Sequence, residues 1–189
     1  MRLICRPSRP GGVRVRRWVF VLSAVALLVV ACGRDVQPEA AAEPTRWDPC
    51  TVADDVIEAM GLDPSSRKQG WQSGVVVEDW DLCGFRAPPT SQPYFFHIRS
   101  SDRHTIESIR SDDSRLDRVD LTVNGRDAFR YRTNDSRAVA DCNVALPVGK
   151  GAVVLSVDFA GGVEPADDPC ELVVSHATDL EPVLPSSTQ

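Results

Sequence analysis

Six cysteines and three histidines are the side chains of this sequence with the widest chemical reach. Cys50, Cys83, Cys142 and Cys170 follow one another at intervals of 33, 59 and 28 residues. None of them forms the close C-x2-C pair of a zinc knuckle or the C-x-x-C of a redox dithiol. Four widely spaced thiols suit disulfide bonds in an oxidising compartment. They allow three connectivities. Cys50–Cys83 and Cys142–Cys170 are favoured, because each joins a helix start to a strand nearby in sequence. His97 and His104 are the first suspects for acid–base work, with Asp102 or Glu107 as acids within chain reach. A nucleophile would have to come from a distant residue, since no G-x-S-x-G, S-x-x-K, H-E-x-x-H or P-loop is present. His176 lies beside the apolar stripe of a helix. The acidic runs Glu78–Asp81 and Asp112–Asp120 lack the order of a calcium loop and read as solvated segments. The expectation is therefore no catalytic residue, no metal and no cofactor.

Cys5 and Cys32 stand apart from these four. Residues 1–31 hold six arginines and no acid, and Trp18 to Ala31 is an uncharged run of fourteen. That is short for a permanent span, which needs about 20 apolar residues, and suits the core of a signal peptide behind a positive flank. Val29-Val30-Ala31-Cys32 resembles the bacterial lipobox. The resemblance implies a diacylglyceryl group on the Cys32 sulfur and cleavage just before it. Lipid chains on one residue give stable membrane anchoring at about 0.8 kcal/mol per buried CH₂. Arg16-Arg17 hints at a twin-arginine signal, but Trp18-Val19-Phe20 fits that motif poorly, so general secretion is the default. Translation starts at Met1 or near Val13. Residues 1–31 are thus expected to be a signal peptide, and residues 32–47 a lipidated cysteine and flexible tether. Residues 48–184 are expected to be one domain and residues 185–189 a polar tail. The location is the extracytoplasmic face of the cell membrane.

From residue 32 onward the chain carries 15 basic against 27 acidic groups, a net −12. That balance argues against nucleic acid as a partner, because phosphate contacts need clustered Lys and Arg. Nineteen Arg against two Lys suggests a GC-rich genome.

The elements that must position these residues are read from periodicity. Asp48-Pro49-Cys50 and Asp168-Pro169-Cys170 each combine a capping Asp with a Pro suited to the first helical position. Apolar residues at helical spacing follow both, to Met60 and to Leu184, so two long helices are expected. Tyr94 to Ser100, Cys142 to Leu146 and Val153 to Phe159 alternate as strands. Val119 to Thr133 forms a hairpin around Asn124-Gly125. A three-residue loop, Val123-Asn124-Gly125, gathers Val119, Leu121, Phe129 and Tyr131 on one face and is preferred. A short helix is expected near Thr105 to Arg110. The fold class is α+β: an antiparallel sheet packed against two long helices, with two disulfides, similar to the PsbP-like sandwich by analogy. Trp71 is either a binding aromatic or a lid on the core.

The lipobox, Asp48-Pro49-Cys50, Leu82-Cys83-Gly84-Phe85, Asp141-Cys142-Asn143-Val144 and Asp168-Pro169-Cys170-Glu171-Leu172 together resemble a family of actinobacterial lipoproteins defined by a domain of unknown function. The resemblance implies secretion and lipidation and supplies no catalytic residues. A non-catalytic binding or accessory domain at the envelope, its ligand or protein partner unknown, is the leading expectation. An extracytoplasmic hydrolase built on His97 or His104 is the first alternative, and an envelope scaffold or assembly factor the second. A concave pocket with convergent polar groups would favour ligand binding. A His within reach of a Ser or Asp in a cleft would favour the enzyme. A contiguous exposed apolar patch would favour a partner surface.

Overall fold

The computed structural model describes residues 46–71, 75–88, 92–133, 139–160 and 165–187. The signal segment, Cys32 and the tether up to residue 45 lie outside the described residues.

Seven strands form one antiparallel sheet: β1 (Asp63–Gln69), β2 (Asp81–Arg86), β3 (Phe95–Ser101), β4 (Leu116–Val123), β5 (Arg126–Arg132), β6 (Val139–Val148) and β7 (Gly151–Ala160). Their order across the sheet is β1-β2-β3-β7-β6-β5-β4. The central strands β3, β7 and β6 alternate apolar and polar side chains, so each presents one set to each face. Phe96, Ile98, Val144, Leu146, Val153, Leu155 and Val157 are fully buried on the first face. Helix α1 (Asp54–Ala59) and helix α3 (Pro169–Leu180) belong to this side. Val173, Ala177 and Leu180 of α3 seal the core. Full burial of a side chain such as Leu180 or Val173 contributes about 1.5–3 kcal/mol.

The expectation of two long helices on the sheet, as in a PsbP-like sandwich, is corrected here. Only α3 is long. Its N-cap Asp168 accepts from the Cys170 N–H at 2.8 Å, and Pro169 occupies the first turn. The other Asp-Pro-Cys opens a single 3-10 turn, Pro49–Thr51, and the chain turns extended at Val52 before α1 begins. The reason is a distant side chain. The Arg67 guanidinium of β1 donates to the carbonyls of Cys50 at 2.7 Å and Val52 at 2.9 Å. A continuous helix would need both carbonyls for residues 54 and 56. Gly61, at φ 75, then ends the six-residue helix.

The hairpin register also differs from the expected one. Val123 pairs with Arg126 and Leu121 with Ala128, so the loop holds two residues, Asn124 and Gly125, both at positive φ. The Asn124 amide donates to the Thr178 carbonyl on α3 at 2.8 Å and holds this turn. The preference for a three-residue loop assumed one apolar face. The sheet buries apolar side chains on both. Phe129 and Tyr131 pack on the second face with Ala145, Ala152 and Val154, under Ile106 and Ile109 of helix α2 (Ile106–Arg110).

Two disulfides bolt the first-face elements to the sheet: Cys50–Cys83 ties the 3-10 turn to β2, and Cys142–Cys170 ties β6 to the start of α3. After α3, Leu184 is buried and Ser187 forms a parallel bridge to Gly149.

Gly151 opens β7 where the turn after β3 crosses it. A Cβ there would sit 2.0 Å from the Ser101 carbonyl oxygen and 2.8 Å from the Asp102 Cα. Both obstacles are backbone and cannot rotate away. Gly151→Ala is expected to lower the unfolding free energy by about 2–3 kcal/mol. Urea denaturation checks it, and an unchanged midpoint would show that the two chains part without cost.

Candidate functional site

Helix α2 covers only part of the second face. The rest, over β1, β2, β3, β7 and β6, is an open cleft of about 750 Å³. Its floor is the polar half of the alternation in the central strands. His97 and Arg99 come from β3, Ser156 and Asp158 from β7, and Asn143 from β6. The register places His97 opposite Ser156, and Asn143 opposite Ser156 on the other side. Lys68 and Arg86 from β1 and β2, with Trp71 and Phe95, form one wall.

The floor holds a His–Asp contact and, beside it, a hydrogen-bonded network. His97 Nδ1 and Asp158 Oδ2 are 2.9 Å apart. Arg99 Nη2 donates to Asn143 Oδ1 at 2.9 Å and to Ser156 Oγ at 2.6 Å. The Ser156 hydroxyl donates to the same Asn143 oxygen at 2.6 Å, and the Asn143 amide donates to Asp141 at 2.8 Å. Asp141 also accepts from the amide and hydroxyl of Thr133 at the rim. Chains of this kind hold each side chain in one rotamer, because release of any member strands its buried neighbours. Gly84 makes room for the imidazole. A Cβ at Gly84 would lie 3.0 Å from His97 Cδ2, so only a glycine leaves the ring where it is. Phe95 stacks parallel to His97 at 6.2 Å, and Arg86 lies over Phe95 at 5.7 Å.

The structure does not bring the candidate histidines together. His97 meets Asp158, not Asp102 or Glu107. His104 lies outside the cleft lining, stacked on Trp80 at 5.1 Å, with Nε2 3.7 Å from Asp79. His176 is buried on α3, where its Nε2 is 2.8 Å from the Tyr94 hydroxyl. Burial pushes its pKa down to about 4, against a small opposing pull from Asp179. The same burial pushes the Tyr94 hydroxyl up. Trp71 is a wall of the cleft. The acidic runs are taken up by arginines: Asp79 by Arg103, Asp81 by Arg46, Asp112 by Arg115, Asp113 by Arg118 and Asp120 by Arg110. Among the described residues no group of three His, Cys, Asp or Glu side chains could hold a metal ion.

Sequence reasoning missed Arg99, Lys68, Asn143, Ser156 and Asp158 as site residues. Their signal was present as the polar positions of the alternating strands. No local pattern says that these positions, from separate strands, come together on one face.

The described residues form a disulfide-braced, seven-stranded antiparallel sheet with one long helix on its first face and an open polar cleft beside a short helix on its second. No curated protein and no solved structure matches the chain. The chain belongs to the family described as Protein of unknown function (DUF3558), whose model matches residues 27–182.

Proposed function

We propose that the protein is a lipid-anchored lipoprotein on the extracytoplasmic face of the cell membrane, whose domain binds a small polar ligand without transforming it. The cleft carries this reading. It has the volume of a small-molecule site, and its polar groups are fixed by strands, not by loops. Pairing of all four domain cysteines supports an oxidising compartment. The lipobox-like Val29-Val30-Ala31-Cys32 supports the anchor. Of the exposed large apolar side chains, Phe95 lines the cleft itself, and the others favour a partner surface less, since Val75 and Val76 lie before β2, Leu116 and Val119 on β4 and Val183 after α3. The test is twofold. Palmitate should label the wild-type chain but not Cys32→Ser, which should leave the membrane fraction. Native mass spectrometry of the membrane-extracted protein should show a small molecule of discrete mass. An unlabelled chain would remove the anchor, and a bare mass would remove the ligand.

The His97–Asp158 contact favours a second reading, hydrolysis by a water that His97 deprotonates while Asp158 orients the ring. The Ser156 hydroxyl is donated to Asn143, not to His97, so the nucleophile would be water and not that serine. Turnover of ester or amide substrates that disappears in His97→Gln would support this reading. Equal turnover in both proteins would sink it.

A further inference from the structure

We infer that the cleft takes a small organic anion, its charged oxygens held by Arg99, Lys68 and Arg86 and its apolar part against Trp71 and Phe95. This rests on the binding reading above and specifies the ligand class. The observation behind it is where the unpaired cations lie. The domain has an excess of acid, and nine of the thirteen described Lys and Arg side chains have a carboxylate within 4.0 Å: Arg46, Arg67, Arg103, Arg110, Arg115, Arg118, Arg126, Arg132 and Lys150. Among the described residues the exceptions are Lys68, Arg86, Arg99 and Arg130. The first three line one cleft. The single carboxylate in that lining, Asp158, is engaged by His97.

Arg99 is the centre of the site. Its guanidinium is part-buried on the floor and fixed by two neutral oxygens, Asn143 Oδ1 and Ser156 Oγ. A positive charge held in a half-desolvated place by neutral dipoles is stabilised by a mobile anion that can reach it. Two further donors carry the same sign of field. Arg99 Nε and Trp71 Nε1 are buried without a hydrogen-bond partner among the described residues. A flat anion fits the walls, since the Phe95 ring and the Trp71 indole offer apolar surface beside the cations. Arg99 and Asn143 also explain why the floor is polar at all. An apolar core of the same shape would need neither.

The experiment is a titration of the full-length protein with three probes of one shape: benzoate, benzamide and benzamidine. The readout is the NMR resonances of the Trp71 indole N–H and the Arg99 Nε–H. Benzoate is expected to shift both, and benzamidine neither. Lys68→Gln, at an exposed position, should weaken benzoate about tenfold, the loss of one close charge. Arg130→Gln, the unpaired cation outside the cleft, should leave it unchanged. Benzamide or benzamidine binding as tightly as benzoate would overturn the anion assignment and leave a neutral binding cleft standing. Benzoate shifting neither resonance would also overturn the assignment, whereas the native-mass result decides separately whether the cleft binds anything.

Discussion

Replacing Cys142 and Cys170 together with alanine lowers the unfolding free energy by about 3–4 kcal/mol. The bond closes a loop of 28 residues, and the unfolded chain regains the freedom that closure removed. It also ties the centre of the sheet to the first turn of the one long helix, so its loss is felt where α3 docks. Cys142 is wholly buried against Val144 and Val157 in the core, and alanine there loses little packing. Most of the effect is therefore in the cross-link. Guanidinium unfolding of the double variant, compared with wild type under oxidising and reducing conditions, checks it. A double variant as stable as the oxidised wild type would mean that the link restrains nothing.

The second large effect is a loss of stability in mild acid. His176 is 4 % exposed, and burial lowers its pKa from 6.5 to about 4. In the unfolded chain it takes up a proton near pH 6.5, while in the folded protein it refuses one until about pH 4. The unfolded state thus binds more protons throughout that window, so stability falls as pH falls. The contribution is complete above pH 6.5, and roughly 3 kcal/mol of it is gone by about pH 4. Asp179, three residues further along α3, pulls the other way but weakly. Changing His176 alone would strand the buried Tyr94 hydroxyl, its 2.8 Å partner. The informative variant is Tyr94→Phe with His176→Leu, which removes both polar ends. Its unfolding free energy between pH 6.5 and 4 should lose the part of the slope that wild type owes to the imidazole. An unchanged slope would assign the acid sensitivity to other groups.

Local signals made α3 and the central strands legible. Asp168-Pro169-Cys170 caps a stripe of Val173, Ala177 and Leu180, and the alternation of Val153, Leu155 and Val157 names a strand without help. The same Asp-Pro-Cys at residue 48 promised a second long helix and delivered one 3-10 turn. What decides between them is Arg67, seventeen residues downstream of Cys50, and no local pattern contains it. Strand β1 carried no signal. Asp63-Pro64-Ser65-Ser66-Arg67-Lys68-Gln69 has no apolar side, as an edge strand with a proline needs none. The hairpin register failed because Phe129 and Tyr131 serve a second core, which exists only once α2 is seen to lie on the far face. The site was legible in the same partial way. His97 was singled out, but its partner Asp158 lies 61 residues away and becomes a neighbour only through the β3–β7 pairing.

The two ends of the described domain meet at one place. Arg46 and Trp47 line a small recess together with Asp102 and the Gly149-Lys150-Gly151 turn, and Ser187 is bridged to Gly149 itself. A short linker from residue 187 back to residue 46 would therefore span little distance. Circular permutants of this domain, with new termini cut at an exposed loop elsewhere, should keep the same sheet and the same cleft.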